Sequence, residues 1–230
     1  MDEIALFPLS TVLLPGTPLP LHVFEPRYQT MMADLLGDEI PGPPGGPPER
    51  SDGEAPAFGV ARIREGLEVG GRAETHRVGV LAAIEWVRRQ PDGTMELLTR
   101  GTRRFRIAER LDDDPYPHAK VSFLDELAGD DADDALAFAK RAYGRYERAV
   151  AQLLRSEPED VALPDDPVAA SYALIAAMSL EASVVQALLE APTATERLVR
   201  AARIARSEAG LLRMIGPPAR QPTIRSSSLN

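Results

Sequence analysis

The chain has no cysteine, which excludes disulfides, thiolate nucleophiles and cysteine-ligated zinc. Lysine is nearly missing too: Lys120 and Lys140 stand alone, and arginine carries the rest of the positive charge. Aromatic residues make up 5% of the sequence, with one tryptophan, so a core of Leu, Val, Ile and Ala is expected. No apolar run approaches the ~18 residues that a membrane helix requires. The opening MDEIALFPLS holds two acids and lacks the basic segment that begins a signal peptide. These absences lead to the expectation of a cytoplasmic protein with no membrane partner. The formal charge of −9 counts against broad nucleic-acid binding, which needs a basic surface, and leaves room only for a local basic patch.

What the sequence does have is a tightly ordered opening, Leu6 to Leu36. Apolar segments at Leu6–Leu9 and Val12–Leu14 lead to Pro15-Gly16, the central pair of a type II turn. A second Pro-punctuated segment, Leu19 to Phe24, is followed by Pro26, which suits the first position of a helix. Tyr28, Met31, Met32, Leu35 and Leu36 then recur at helical spacing, and Gly37 stops the run. The prediction is strand, turn, strand, helix, with Phe24 expected in the core.

Residues 38–56, DEIPGPPGGPPERSDGEAP, contain almost nothing to bury and are expected to form a flexible loop. Beyond it, FGVARI (58–63) alternates as a strand does, and Gly70-Gly71 marks a turn. Val78, Val80, Ala82, Ile84 and Trp86 share one face of a longer strand. Pro91-Asp92-Gly93 turns it back through Met95–Thr99, with Gly101 as a bulge. Phe105 and Ile107 fall on one side of the continuation, Arg104 and Arg106 on the other. Ala119, Val121 and Phe123 form a last strand. Short strands in this rhythm predict a small antiparallel barrel with the first helix plugging one end.

After Glu126 the pattern becomes helical. One helix is predicted over 132–155, with acids at its N-terminal end. Asp166-Pro167 starts a second, Leu180 or Glu181 a third, and the Thr193/Glu196 capping box a fourth. The reading is α+β: residues 1–128 as barrel, 129–216 as helical bundle, and 217–230 as a disordered tail.

Motifs for chemistry are missing. There is no GxxxxGK[ST] phosphate loop and no GxSxG elbow. Neither lysine stands near a Gly-flanked serine of the kind a Ser-Lys dyad needs. His22, His76 and His118 show no HxH or HxxxH spacing and read as rim histidines. Arg100, Arg103, Arg104 and Arg106 form one basic stripe, expected to be a solvated strand face. No cofactor is expected.

Three stretches together carry a family resemblance: FPLSTVLLPGTPLPLHVFEPRY, VGVLAAIEWVRRQPDGTMELLTRGTRRFRI, and DDPVAASYALIAAMSLEASVVQALLEAPTATERLVRAARIARSEAGLL. In this order they resemble the Lon protease N-terminal, or substrate-binding, domain. The resemblance implies a PUA-like β-barrel followed by a helical bundle. In full Lon proteases this domain helps to recognise substrate and assemble the hexamer, ahead of an ATPase and a Ser-Lys protease. No motif of either enzymatic part occurs in these 230 residues, and the missing cysteines exclude the zinc-binding extension of some relatives. The expectation is a non-enzymatic protein-binding module whose partners are client proteins, a protease or a chaperone, with a homodimer left open. The competing readings are a small-molecule enzyme with a site between barrel and helices, and a PUA-like RNA binder. The residues expected to bind lie where barrel meets helix: Glu25, Arg27 and Tyr28, with Arg104 as a neighbour.

Overall fold

Seven strands and five helices are present among the residues that the computed structural model describes, 1–37, 55–70, 73–111, 114–158 and 162–215. Most of the loop expected at 38–56 and the tail expected at 217–230 lie outside the described residues. The strands are β1 (Asp2–Leu9), β2 (Pro18–Val23), β3 (Ala57–Gly66), β4 (Ala73–Thr75), β5 (Val78–Arg89), β6 (Met95–Arg110) and β7 (His118–Phe123). Pairing runs β1–β7–β6–β5–β3 and returns from β3 to β1, so the ring closes. The closing pair, Leu6–Leu9 against Gly59–Arg62, is parallel, and the other pairings are antiparallel. The barrel is therefore not purely antiparallel as expected. The reason is connectivity: a parallel neighbour needs a long crossover, and β2 with the first helix supplies it.

Inside the ring, Leu6, Ala61, Phe105, Ile107, Ala119 and Val121 form a small apolar cluster. Gly79 lets the strands approach here, because a Cβ on it would lie 2.4 Å from the Val60 carbonyl oxygen. At Gly101 a Cβ would lie 2.2 Å from the Leu14 carbonyl oxygen, so the Pro15-Gly16 turn can dock on β6 only over a glycine. Gly16 N–H donates to Gly101 O at 2.8 Å, and Gly101 N–H donates to Thr17 O at 3.0 Å.

The β5–β6 pairing slips by one residue between Ile84 and Trp86. A bulge of this kind reverses the in–out alternation beyond it. Val87 is consequently buried, and Trp86, expected on one face with the buried Val78, Val80, Ala82 and Ile84, is only half-buried.

Helix α1 (Pro26–Leu36) begins at the proline and ends at Gly37, whose φ is +63°. It buries Tyr28, Met31, Met32 and Leu36 in a larger core shared with Phe7, Leu13, Val23 and Phe58. The Tyr116 hydroxyl donates to Asp34 at 3.0 Å and ties the helix to the chain ahead of β7. The remaining helices are α2 (Ala132–Leu154), α3 (Pro167–Ala177), α4 (Ala182–Leu189) and α5 (Ala194–Ile215). Asp166 caps α3 by accepting from Ala169 N–H at 2.7 Å, and Thr193 Oγ1 accepts from Glu196 N–H at 3.2 Å at the start of α5. Helix α2 packs on α5, and both bury small side chains: Ala135, Ala139 and Ala142 on α2, and Ala201, Ala202 and Ala205 on α5. Leu154 is exposed in the last turn of α2. The larger apolar core contains residues of both the barrel and the helical half.

Candidate functional site

Strand β2 alternates: Leu19, Leu21 and Val23 turn inward while Pro20 and His22 turn outward. Phe24 follows in the outward phase, two residues beyond His22, and their rings stack at 6.0 Å. It is 49% exposed, which corrects the expectation that it belongs to the core. The alternation itself carried this signal. Across from it, the loop after β3 exposes Leu67 and Val69, at 69% and 54%.

That loop is pinned at both sides. Ser10 N–H donates to Glu68 Oε2 at 3.0 Å, and Gly70 N–H donates to Glu25 Oε2 at 3.0 Å. Glu25 occupies the N-cap position of α1, yet its side chain makes no capping hydrogen bond. It faces the loop instead and pairs with Arg27 at 3.1 Å. The Arg27 guanidinium lies 4.6 Å from the Tyr28 ring centroid, and that ring stacks on Phe7 at 4.1 Å. Between loop and strand lies a shallow groove of about 180 Å³, with Leu9, Leu21, Phe24, Glu25, Tyr28 and Val69 in its walls. Glu25, Arg27 and Tyr28 are thus brought together, with Tyr28 as a buried floor and Glu25 as a latch. Phe24, Leu67 and Val69 supply the accessible apolar surface that the sequence reading missed. A carboxylate, a guanidinium and a phenol in this arrangement provide no nucleophile with an adjacent base. They provide a supported apolar ledge with a charged rim.

Arg104 is elsewhere. The residue is 1% exposed, against the expectation of a solvated strand face, and its partners lie apart from Glu25, Arg27 and Tyr28, against the expectation that it is their neighbour. It donates to Glu126 Oε1 at 2.7 Å and to the carbonyls of Leu189 and Ala191, both at 2.8 Å. Arg197, fully buried on α5, donates to Glu126 Oε2 at 3.1 Å and to Ser171 Oγ at 2.8 Å. The Tyr172 hydroxyl adds a third bond to Glu126, and the Arg197 guanidinium lies 4.3 Å from the Tyr172 ring centroid. Burial pushes the Tyr172 hydroxyl above its ordinary range, against the pull of Arg197 and Arg104, and the same burial lowers the pKa of Arg197. The α4–α5 connection covers the outer face of β6 at this point, so Arg104 is a structural clamp. The other stripe members differ from it. Arg100 pairs with Glu85, Arg103 lies 4.2 Å from the Phe123 ring centroid, and Arg106 is exposed.

The family described as the ATP-dependent protease La (LON) substrate-binding domain matches residues 3–206. The chain belongs to this family. Lon protease 2 of Herpetosiphon aurantiacus is 32% identical over 162 residues, covering 67% of this chain and 19% of that protein. Lon protease 1 of the same organism is 23% identical over 219 residues, covering 93% of this chain and 25% of that protein. The chain thus spans a quarter or less of these two Lon proteases. Its Lon substrate-binding fold is shared with a Lon N-terminal domain protein from Xanthomonas campestris, at a TM-score of 0.58, 24% identity, and coverage of 86% of this chain and 95% of that one. The N-terminal domain of a Mycobacterium avium complex Lon protease matches with a TM-score of 0.60, 20% identity, and coverage of 91% and 98%. The match is to the substrate-binding part of Lon and not to its protease part. No described helix is long and apolar enough to cross a membrane.

Proposed function

We propose that this Lon substrate-binding domain holds exposed apolar segments of client proteins on the β2–α1 corner, without catalysing a reaction itself. The observation that carries this is the accessible trio Phe24, Leu67 and Val69 on a pinned loop and strand end. Large apolar side chains gathered on a rigid support mark interaction surfaces. Glu25 and Arg27 at the rim orient the bound segment. The substrate-binding description of the family supports the reading. In it the clients are cytoplasmic proteins that are unfolded or partly unfolded, the barrel (1–128) carries the binding surface, and the helical half (129–216) braces it. A protease or chaperone partner receives the client.

The test is a peptide array drawn from unfolded model proteins and probed with the purified chain. Binding should follow apolar content and fade when Val69 is changed to Asp. Equal binding to scrambled polar peptides would remove the proposal.

A further inference from the structure

A second concavity lies on a different part of the barrel, where β4, the start of β5, the far end of β6 and the last turn of α4 meet. It is an open cleft of about 630 Å³, a volume within the range of roughly 300–1,000 Å³ typical of small-ligand sites. Its walls carry four arginines, Arg64, Arg77, Arg106 and Arg110, with Glu74 and Glu190 as the acids. On a chain with a formal charge of −9 this is a local reversal of sign.

The partners decide what the cleft can take. Arg64 donates to Glu74 Oε2 at 2.6 Å, and Arg110 donates to the Ala73 carbonyl. His76 Nε2 meets Arg62 Nη1 at 3.2 Å. A guanidinium only donates, so Nε2 is the side of the ring that accepts from Arg62, and Nδ1 faces Glu190 Oε1 at 3.4 Å. Gln186 Nε2 donates to the same Glu190 oxygen at 2.8 Å and to the Val78 carbonyl at 3.0 Å. Both acids are therefore engaged by neighbours. Arg77 and Arg106 are exposed, and neither side chain has a partner among the described residues. Adjacent chain segments hold them: the Arg77 carbonyl accepts from Ile107 N–H at 2.8 Å, and Arg106 stands opposite Val78.

We propose that this cleft binds a small phosphate-bearing anion, with Arg77 and Arg106 as its two forks. Two guanidiniums without partners present up to ten N–H donors and two positive charges, and a phosphate group, with three acceptor oxygens and nearly two negative charges, matches both the donors and the charge, whereas a carboxylate brings a single charge. The size of the cleft suits a small molecule, and the acidity of the chain as a whole opposes an extended polyanion such as RNA. This site is independent of the apolar corner.

The experiment is calorimetric titration of the full chain with inorganic pyrophosphate at low ionic strength. A glutamate-rich peptide and a short single-stranded RNA serve as comparison ligands, and melting temperature is recorded for every variant. One-site pyrophosphate binding is expected, at least tenfold weaker in R77Q and in R106Q, with unchanged melting temperature in both and no change in R148Q on α2. Apolar-peptide binding should be the same in all of them. Absence of pyrophosphate binding at millimolar concentration, unchanged binding in the R77Q/R106Q double variant, or tighter binding of the peptide or the RNA would overturn the assignment.

Discussion

Arg104 on β6 reaches Glu126 at 2.7 Å from a position that is 1% exposed, and Glu126 holds Arg197 of α5 with its other oxygen. Arg104→Met removes one of two buried cations from a shared carboxylate and leaves the Leu189 and Ala191 carbonyls with fewer donors. A loss of about 3–5 kcal/mol is expected, the range for breaking a buried ion pair. Arg104→Lys should recover little, because an ammonium cannot reproduce the fork. Urea denaturation measures both. Arg106→Gln, two residues along the same strand face and exposed, should stay within about 0.5 kcal/mol of the parent. Equal costs at 104 and 106 would show that the clamp contributes nothing special.

Phe24 and Phe58 make a matched pair for the boundary between core and surface. Phe58 is fully buried beside Phe7, and Phe58→Ala should cost about 3–5 kcal/mol. Phe24→Ala should cost less than about 1 kcal/mol because the ring is already half in solvent. Thermal or urea unfolding distinguishes them. A large loss at Phe24 would mean that its ring is needed by the fold.

Much of this architecture was legible in the residues, and the exceptions have physical reasons. Pro26, Gly37, Asp166 and Thr193 mark helix ends by local chemistry, so a sequence displays them directly. The alternation of β2 also places Phe24 outward, but its size invites a core assignment. Arg104 differs: its face on β6 can be read from period two, while its burial depends on a connection more than eighty residues later in the chain. Nothing local announces that cover. The β5 bulge is similar, since a one-residue slip between Ile84 and Trp86 depends on the partner strand. The parallel β1–β3 closure likewise follows from how the crossover is threaded.

Gly79 and Gly101 should resist even the smallest side chain. The distances to the Val60 and Leu14 carbonyls leave no room for a Cβ without backbone movement. Alanine at either position is expected to cost about 1–3 kcal/mol, as overpacking does. Gly144→Ala serves as the comparison. It lies on α2, where the nearest atom to an added Cβ is 3.9 Å away, and should stabilise the helix by about 0.5–1 kcal/mol.

Tyr116 provides a pH-dependent handle. Its burial, and then its hydrogen bond to Asp34, push the hydroxyl up to about 12. The folded state therefore holds this proton more tightly than the unfolded chain, where tyrosine ionises near 10. Its contribution to stability is full below pH ~10 and is lost as pH rises from there towards 12. Tyr172, also shifted upward, adds in the same direction. Unfolding free energy measured from pH 9 to 12 should fall, and Tyr116→Phe should flatten part of that fall. An unchanged slope in the variant would show that the Tyr116 proton is not held by the fold.

The proposed client surface is tested most directly by fluorescence anisotropy with a labelled apolar peptide from an unfolded protein, titrated with the parent chain and with Phe24→Asp. The account predicts at least tenfold weaker binding in the variant, with its melting temperature retained because Phe24 is not part of the core. Undiminished binding by a folded Phe24→Asp chain would contradict it.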